Sequence, residues 1–561
     1  DGQGSVDSID LGSAESIEVI RGPFSAVYGA ASGGVILVHS ETGPADPFVS
    51  GRLNIGAYDF VQGQAKIGGQ NGAFNYMANL SHTSLDGYRN HSATENTLFN
   101  TRLRYDVDDS TRLTVVVNAV DSPEADDPGA LTAAEVAANR RQAAPRNVAF
   151  DAGESLDQQS IGAALTRQYP GGSELLLRAH YTQRDFENRL PFDINANGQG
   201  GSVDLDRKYH GFGGSWSVSP AEYVRLVAGV EYDAQRDHRR RFANELGVRG
   251  ALTTDQDEDV TDYAVFAELN WTLSEAVATR LGARYDEVDY DISDRLDEGG
   301  SGQTSFDAFS PMAGITWAVS AGASLYANVS RAFDPPATTE LANPEAPTGF
   351  NQELDAQTAT NFEIGLKGQV GGSARYEFAV FHIDVDDAIV PFELTGSGQV
   401  FFENAGSATH DGIEAAVTLD LTPRVTASAS YSWSDFEFDR FQGLGGESFD
   451  GNRIPGIPEH LVQAGLTWQP REALFMALDI LHASHFFADN ANTVEAGDYT
   501  VADLRMEYRW IGPRLQVAPF AGVNNLFDER YDGNVRLNAS FGRYFEPAPE
   551  RNIYAGVEVR Y

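Results

Sequence analysis

A run of basic side chains, His238, Arg239, Arg240 and Arg241, interrupts a strongly acidic sequence. The chain carries 40 Lys and Arg against 81 Asp and Glu, which gives a net charge of −41. A cationic cluster in such a background attracts anions, for example a metal chelate that carries carboxylates. We therefore predict that Arg239, Arg240 and Arg241 contact an anionic ligand. The alternative is that this run contacts lipopolysaccharide phosphates or is simply solvated.

Two further groups of arginines are candidates for the same role. Arg140 and Arg141 lie in a long polar connection, residues 122–155, and Arg184 lies near the outer end of a predicted strand. A guanidinium presents its N–H donors in a rigid fork that matches carboxylates and phosphates. We predict that all three arginines contact the ligand. The alternative is that they belong to a solvated surface.

Residues that carry covalent catalysis or bind metals are missing or unsuitably spaced. The sequence contains no Cys, which excludes a disulfide framework, a thiolate zinc site and a Cys nucleophile. His482 and His485 are three residues apart, which places them on opposite faces of a strand. Neither an HExxH motif nor an EF-hand loop occurs. We expect a protein that is not an enzyme, without catalytic residues, metal site or cofactor. The acidic charge argues against a nucleic-acid partner.

The elements that must position these arginines are long β-strands. Near the C-terminus Ile553, Val557 and Val559 fall on one face of an alternating segment, and Glu558 and Arg560 fall on the other. About 22 such segments can be placed after residue 47, many of ten or more residues. Strands of soluble proteins usually have about five or six residues. The pattern predicts an all-β fold, a 22-stranded antiparallel transmembrane β-barrel, which contains no long apolar run.

The predicted connections between the strands alternate between short and long. In outer-membrane barrels short turns face the periplasm and long loops face outwards. The long connections therefore form the predicted outer rim, and residues 131–139 in the first of them are predicted to form a short helix. Short turns are predicted at residues 108–110, 170–172, 371–372, 422–423 and 512–513, and long connections at 122–155, 188–206, 239–256, 334–354, 439–458 and 528–548.

Residues 1–46 do not follow the strand pattern and are predicted to form a separate element before the barrel. A 22-stranded barrel encloses a lumen so wide that barrels of this size are plugged. The glycines of this element, Gly22, Gly29, Gly33 and Gly34, are predicted at tight turns that pack closely against the wall. The alternative is a flexible linker.

Several ordered motifs resemble those of TonB-dependent outer-membrane receptors. Residues 16–23 (SIEVIRGP), 25–29 (SAVYG) and 33–36 (GGVI) are similar to the end of the plug domain of that family. Five further stretches are similar to signatures in the barrel of that family, namely residues 330–333 (SRAF), 361–367 (NFEIGLK), 404–406 (NAG), 412–414 (GIE) and 524–531 (NNLFDERY). Most of the chain is covered by this resemblance.

The resemblance implies a plug and a barrel. Residues 1–46 correspond to the C-terminal remnant of the plug domain, a truncated segment inside the lumen, and residues 47–561 to the transmembrane barrel. It implies a plug–barrel lock in which Arg21 pairs with Glu363 and Glu414 on the barrel wall. Alternatively, Arg21 caps a turn and both glutamates are ordinary lumen residues. The family's plug is longer and begins with a TonB box; a trimmed chain, a partial gene or a reduced receptor would account for the difference.

The function implied by the resemblance is import across the outer membrane of a Gram-negative bacterium. TonB, which couples the receptor to the inner membrane, is the expected partner, together with outer-membrane lipid and lipopolysaccharide. The chain is expected to be a monomer. The expected small-molecule ligand is a ferric siderophore or another iron chelate, and pyrroloquinoline quinone, cobalamin and haem are alternatives. A passive pore or a surface receptor is the alternative for a plug this short.

Overall fold

The structure, a computed structural model, describes residues 8–22, 25–30, 33–195, 198–341, 351, 353–393, 400–443 and 446–561. Most of these residues form one closed antiparallel β-barrel. The barrel closes because its last strand pairs with its first, with Val557 opposite Leu53.

The strands in chain order are β1 Ala14–Arg21, β2 Gly34–Ser40, β3 Phe48–Gly56, β4 Val61–Asn71, β5 Phe74–Leu85, β6 Thr94–Asp108, β7 Thr111–Asp126, β8 Gly153–Gln168, β9 Glu174–Ile194, β10 Gly200–Ala221, β11 Val224–Glu245, β12 Val248–Ser274, β13 Val277–Asp294, β14 Gly302–Ser320, β15 Ala323–Asp334, β16 Gln357–Val370, β17 Ala374–Glu393, β18 Val400–Thr422, β19 Val425–Arg440, β20 His460–Arg471, β21 Leu474–Ala483, β22 Phe486–Phe487, β23 Glu495–Ala496, β24 Tyr499–Tyr508, β25 Trp510–Ile511, β26 Gln516–Asn524, β27 Asp532–Val535, β28 Phe545–Pro547 and β29 Asn552–Arg560. The α-helices are α1 Ser25–Tyr28, α2 Ala133–Ala138 and α3 Pro145–Ala149, and short 3-10 helices span Leu11–Ser13, Glu298–Gly300 and Ser540–Gly542.

The prediction of 22 strands is confirmed. β24 and β25 both pair with β26 and together occupy one position in the ring. The ring therefore contains 22 strands: β3 to β21, the shared position of β24 and β25, β26 and β29. The five predicted short turns all fall between paired strands. The predicted helix is also confirmed, since α2 begins after Thr132, whose side chain forms a capping box with Glu135.

Two predicted long connections are wrong. Residues 188–194 and 200–206 belong to β9 and β10, and residues 239–256 form the ends of β11 and β12 around a two-residue turn. Leu246 and Gly247 in that turn have φ angles of 53° and 89°, as a tight hairpin turn requires. The hydrogen-bonded ladder continues beyond the membrane, where lipid no longer imposes apolar residues on the outer face. The alternating pattern therefore stops although the strands do not.

Outward-facing aromatic rings mark the outer edge of the lipid-facing band. Tyr232 packs against Phe212 and against Tyr263, with both pairs of ring centroids 5.2 Å apart. Exposed apolar side chains such as Val230 and Val265 lie on one side of this cluster. On the other side β12 continues for 15 residues towards its outer end, and its whole length of 27 residues far exceeds the 9–11 needed to cross a bilayer.

The N-terminal segment crosses the lumen in its described residues, 8–22, 25–30 and 33–43. Its two strands β1 and β2 pair with each other. Asp10 accepts a hydrogen bond of 2.6 Å from buried Asn79 of β5, while the Ser25 hydroxyl lies 3.2 Å from the backbone nitrogen of Phe333 in β15. β5 and β15 are ten positions apart in a ring of 22, nearly opposite each other, so this segment spans the barrel interior. No helix among the described residues is long and apolar enough to cross a membrane.

Candidate functional site

A large cavity lined by both charged and apolar side chains opens at the outer end of the barrel, beyond the aromatic rings. Its volume is about 1120 Å³. We call it the outer cavity. It is lined by the connection between β7 and β8 (Asp127, Arg146), by β8–β12 (Glu154, Phe186, Arg239, Arg241, Glu258), by residues 338–341, by Phe392 and Phe402, and by residues 536–543.

The outer cavity is enriched in arginine relative to the chain as a whole. Acidic residues outnumber Lys and Arg two to one in the sequence, 81 against 40. In the cavity wall the numbers are equal, with Arg146, Arg239, Arg241, Arg536 and Arg543 facing Asp126, Asp127, Glu154, Glu258 and Glu340. Because buried charges are costly unless they are paired, the partners of each arginine decide which of them is available to a ligand.

Arg239 already has a partner within the protein. Its Nε donates a hydrogen bond of 2.7 Å to the carboxylate of Glu258, and both side chains are buried. Burial alone raises the pKa of Glu258, but the adjacent Arg239 guanidinium more than compensates and holds that pKa below its usual value. The two residues therefore form a charged pair that fixes β11 against β12.

Arg241 is different, since its guanidinium keeps an unpaired donor. Its Nη1 is buried and has no hydrogen-bond partner among the described residues. Burial, followed by the nearby charge of Arg239, lowers the pKa of Arg241 to about 10, so the side chain remains a cation at neutral pH. Thr254, opposite Arg241 on β12, also lines the cavity, and its buried hydroxyl likewise has no partner among the described residues. These neighbouring donors can bind an anionic group from the cavity.

Two of the three remaining arginines, Arg536 and Arg543, hold the loops of the cavity together, whereas Arg146 lies over the ring of Phe150 within its own loop. Arg536 contacts Asp127 at 3.2 Å and Glu546 at 3.0 Å. Arg543 contacts Glu135 of α2 at 3.0 Å. These bridges connect the chain between β26 and β29 to the connection between β7 and β8.

The arginines predicted from the sequence fall into two groups. Arg239 and Arg241 line the cavity, but Arg240 faces the opposite side of β11 and pairs with Asp204 at 3.0 Å. Strand alternation explains this separation, because neighbouring residues point to opposite faces. The basic run also lies inside a strand, not where a strand meets a loop.

Arg140, Arg141 and Arg184 are not among the residues that line the outer cavity. Arg140 donates to the carbonyl of Tyr531, and Arg141 donates to the carbonyl of Tyr88 at 2.9 Å. Arg184 donates to Gln158 at 2.8 Å. All three make structural contacts between neighbouring strands or loops.

Sequence reasoning missed Thr254, Glu258, Arg536 and Arg543 as cavity residues. Thr254 becomes significant only through the strand register, which sets it opposite Arg241. Arg536 and Arg543 lie in a connection predicted to be long and external, and that position is the signal that could have identified them.

The predicted plug–barrel lock is described in part. The side chain of Arg21 lies outside the described residues, although its backbone pairs with Gly34. Glu363 on β16 and Glu414 on β18 both alternate with lipid-facing neighbours and therefore face the lumen, one on each side of β17.

The four glycines of the N-terminal segment differ in conformation. Gly22, Gly29 and Gly34 have φ angles of 86°, 79° and 134°, which L side chains rarely adopt. A Cβ atom at Gly29 would lie 3.2 Å from the guanidinium of Arg284 on the barrel wall, whereas one at Gly33 would meet nothing within 4 Å.

A closed 22-stranded barrel, a segment across its lumen and an arginine-rich cavity at its outer mouth define an outer-membrane receptor for small ligands. The family model described as "TonB dependent receptor-like, beta-barrel" matches residues 46–526, and the chain belongs to this family. The protein is therefore located in the outer membrane of a Gram-negative bacterium. Family and fold are those of transporters and receptors and not of enzymes.

Similar proteins cover the whole chain at low identity. The metal-pseudopaline receptor of Pseudomonas aeruginosa is 21% identical over 606 aligned residues, which include 100% of this chain and 82% of the relative. The ferric yersiniabactin uptake receptor of Yersinia pestis superimposes with a TM-score of 0.82 at 17% identity, over 98% of this chain and 85% of that one. A ferric citrate transporter superimposes with a TM-score of 0.83 at 19% identity, over 99% and 85%. These superpositions concern the fold.

Proposed function

We propose that this chain binds a metal chelate with exposed carboxylates in the outer cavity and imports it into the periplasm with energy supplied through TonB. A ferric siderophore or another iron chelate is the ligand class that we favour. The observation that carries the proposal is the charged, half-buried Arg241 in the cavity wall, whose buried Nη1 has no partner among the described residues. Opposite it on β12 lies Thr254, whose buried hydroxyl has no partner there either. A carboxylate accepts hydrogen bonds at both oxygens and can therefore serve donors of both kinds.

The size of the outer cavity supports this ligand class. Pockets for small organic ligands usually have volumes of about 300–1,000 Å³. The outer cavity, at about 1120 Å³, suits a bulkier ligand such as a metal enclosed by its chelator. Two similar proteins bear names that fit this choice, a metal-pseudopaline receptor and a ferric citrate transporter.

The N-terminal segment supplies the proposed coupling element. We regard residues 1–46 as plug-domain sequence and residues 47–561 as the barrel, with Arg21 locked against Glu363 and Glu414. Polar contacts such as Lys66 with Glu41, at 2.8 Å, hold this segment to the wall. Exchangeable polar contacts allow a segment to move when it is pulled, because water can replace each of them.

An uptake assay tests the proposal. A strain without its own iron-chelate receptors would express the full-length gene and receive radioactive iron as ferric citrate or as an uncharged trihydroxamate complex. We expect saturable uptake from citrate, weaker uptake from the trihydroxamate, and no uptake in a matched strain that lacks TonB. Equal uptake from both complexes would contradict the anion-binding role of the outer cavity, and uptake without TonB would contradict active import.

A further inference from the structure

Three side chains that sequence reasoning did not connect converge beside the outer cavity. His91 lies between β5 and β6, Asp126 ends β7, and Asp151 follows α3. One imidazole nitrogen and one oxygen from each carboxylate all lie within 4.8 Å of one another. The three residues therefore join three separate segments at one point.

The imidazole of His91 is oriented as in a metal ligand. Its Nε2 lies 2.8 Å from the carbonyl oxygen of Ala152. A carbonyl oxygen only accepts hydrogen bonds, so Nε2 must carry the hydrogen. Histidines that bind metals characteristically donate their second ring N–H to a backbone carbonyl or a carboxylate in this way. The contact leaves Nδ1, the nitrogen on the side of Asp126, to bind an ion.

The spacing between Nδ1 and the nearer carboxylate fits an ion between them. Nδ1 of His91 lies 3.5 Å from Oδ2 of Asp126. A charge-assisted hydrogen bond would bring these atoms to about 2.7–2.9 Å. Two ligands that each lie about 2.0–2.1 Å from a tetrahedral ion are separated by about 3.4 Å. The observed separation agrees with the second arrangement.

Burial and charge are also suitable for an ion. The side chains of His91 and Asp126 are only 14% and 16% exposed, whereas Asp151 is 56% exposed and gives access from solvent. Arg189 contacts one oxygen of Asp151 at 3.2 Å. A carboxylate accepts at both oxygens, so this contact leaves a position for an ion.

We infer that His91, Asp126 and Asp151 bind one divalent transition-metal ion, with Zn²⁺ as the best match. One imidazole with two carboxylates suits Zn²⁺, whereas Ca²⁺ and Mg²⁺ prefer oxygen ligands throughout. Arg241 is not one of the three ligands and the site requires no chelate, so the inference goes beyond the proposed transport function. The ion fixes both ends of the β7–β8 connection to the β5–β6 connection. The β7–β8 connection carries Arg146, so the ion stabilises one wall of the outer cavity.

Calorimetric titration of the full chain in detergent micelles, stripped of metals and then supplied with Zn²⁺ alone, tests this inference. We expect one saturable site and a Zn²⁺-dependent rise in the unfolding temperature. His91→Asn should weaken Zn²⁺ binding at least tenfold, since it removes one of three ligands. Asn is the suitable replacement because His91 has a φ angle of 55°, which Asn tolerates.

The matched control is His82→Asn, which alters an exposed histidine 3.9 Å from Glu95 and should leave Zn²⁺ affinity unchanged. Asp126→Asn, a second variant of unchanged size, should also lose the site. Co²⁺ should give the intense visible absorption of a tetrahedral complex in the wild type and in His82→Asn, but not in His91→Asn or Asp126→Asn. The absence of saturable Zn²⁺ binding by the wild type would overturn the inference. Equal affinities of the wild type and a folded His91→Asn variant would overturn it as well.

Discussion

The lipid-facing band and the outer cavity use the same strands under opposite physical conditions. In the band, side chains such as Val230 and Val265 face lipid and the opposite face is polar. Around the cavity, both faces of β11 carry charge: Arg239 and Arg241 point inwards and Arg240 points outwards. Lipid gives the band a simple alternating sequence, whereas the outer region depends on individual pairings. The comparison shows that a strand can keep its hydrogen bonds after its sequence pattern has disappeared.

The largest effect is expected from the buried pair on the cavity side. Arg239→Gln leaves Glu258 buried without its partner, which costs about 3–5 kcal/mol of unfolding free energy at pH 7. Because the pKa of Glu258 is depressed in the folded protein, this stabilisation is complete at neutral pH and is lost as acid protonates Glu258. The difference between variant and wild type should therefore shrink as the pH falls below about 4.

Urea unfolding in lipid vesicles at neutral and acidic pH measures this difference. Arg240→Gln, which alters the partly exposed pair with Asp204, is the control and should cost at most about 1 kcal/mol. If both variants were equally stable at pH 7, the distinction between the two faces of β11 would be lost.

A charged side chain placed on the lipid face tests where the lipid-facing band ends. Val265→Arg should destabilise the barrel by about 2–4 kcal/mol, because the guanidinium enters the hydrocarbon region. Thr261→Arg, on the same face of β12 but beyond the aromatic ring of Tyr263, should cost less than about 1 kcal/mol. The same unfolding assay applies. Equal costs at the two positions would show that the edge of the band is not at Tyr263.

The proposed lock between Arg21 and the lumen wall should have a smaller effect. Arg21→Glu replaces an attraction of about 1.5–3 kcal/mol by repulsion from Glu363 and Glu414. The N-terminal segment should loosen, so cells should become more sensitive to detergent and to large antibiotics. The double variant Arg21→Glu with Glu363→Arg should recover part of the resistance. Unchanged sensitivity in the single variant would argue that Arg21 does not hold the segment.

The sequence predicts the lipid-facing band better than it predicts the region around the outer cavity, and the reason is physical. Contrast between lipid and water produced the alternation that predicted 22 strands, and Gly and Pro marked the short turns. Beyond the membrane that contrast is absent, so the ends of β9–β12 were interpreted as loops. The pairing of Arg239 with Glu258 required the register of β11 with β12.

The site residues show the same limit. Arg240 and Arg241 are neighbours in sequence, and only strand alternation decides which of them enters the cavity. His91, Asp126 and Asp151 are separated along the chain and come together only through the folding of two connections. Residue type alone therefore singled out the basic run, but not which of its arginines line the outer cavity.

Arg241 is the arginine that we propose to contact an anionic chelate in the outer cavity. The most direct test is a fluorescence titration of the purified full chain with ferric citrate, performed on the wild type, Arg241→Gln and Arg240→Gln. Since a hydrogen bond to a charged group contributes about 1.5–3 kcal/mol, Arg241→Gln should weaken binding at least about tenfold, and Arg240→Gln should bind like the wild type. Equal affinities of all three proteins, or a greater loss in Arg240→Gln, would contradict the account.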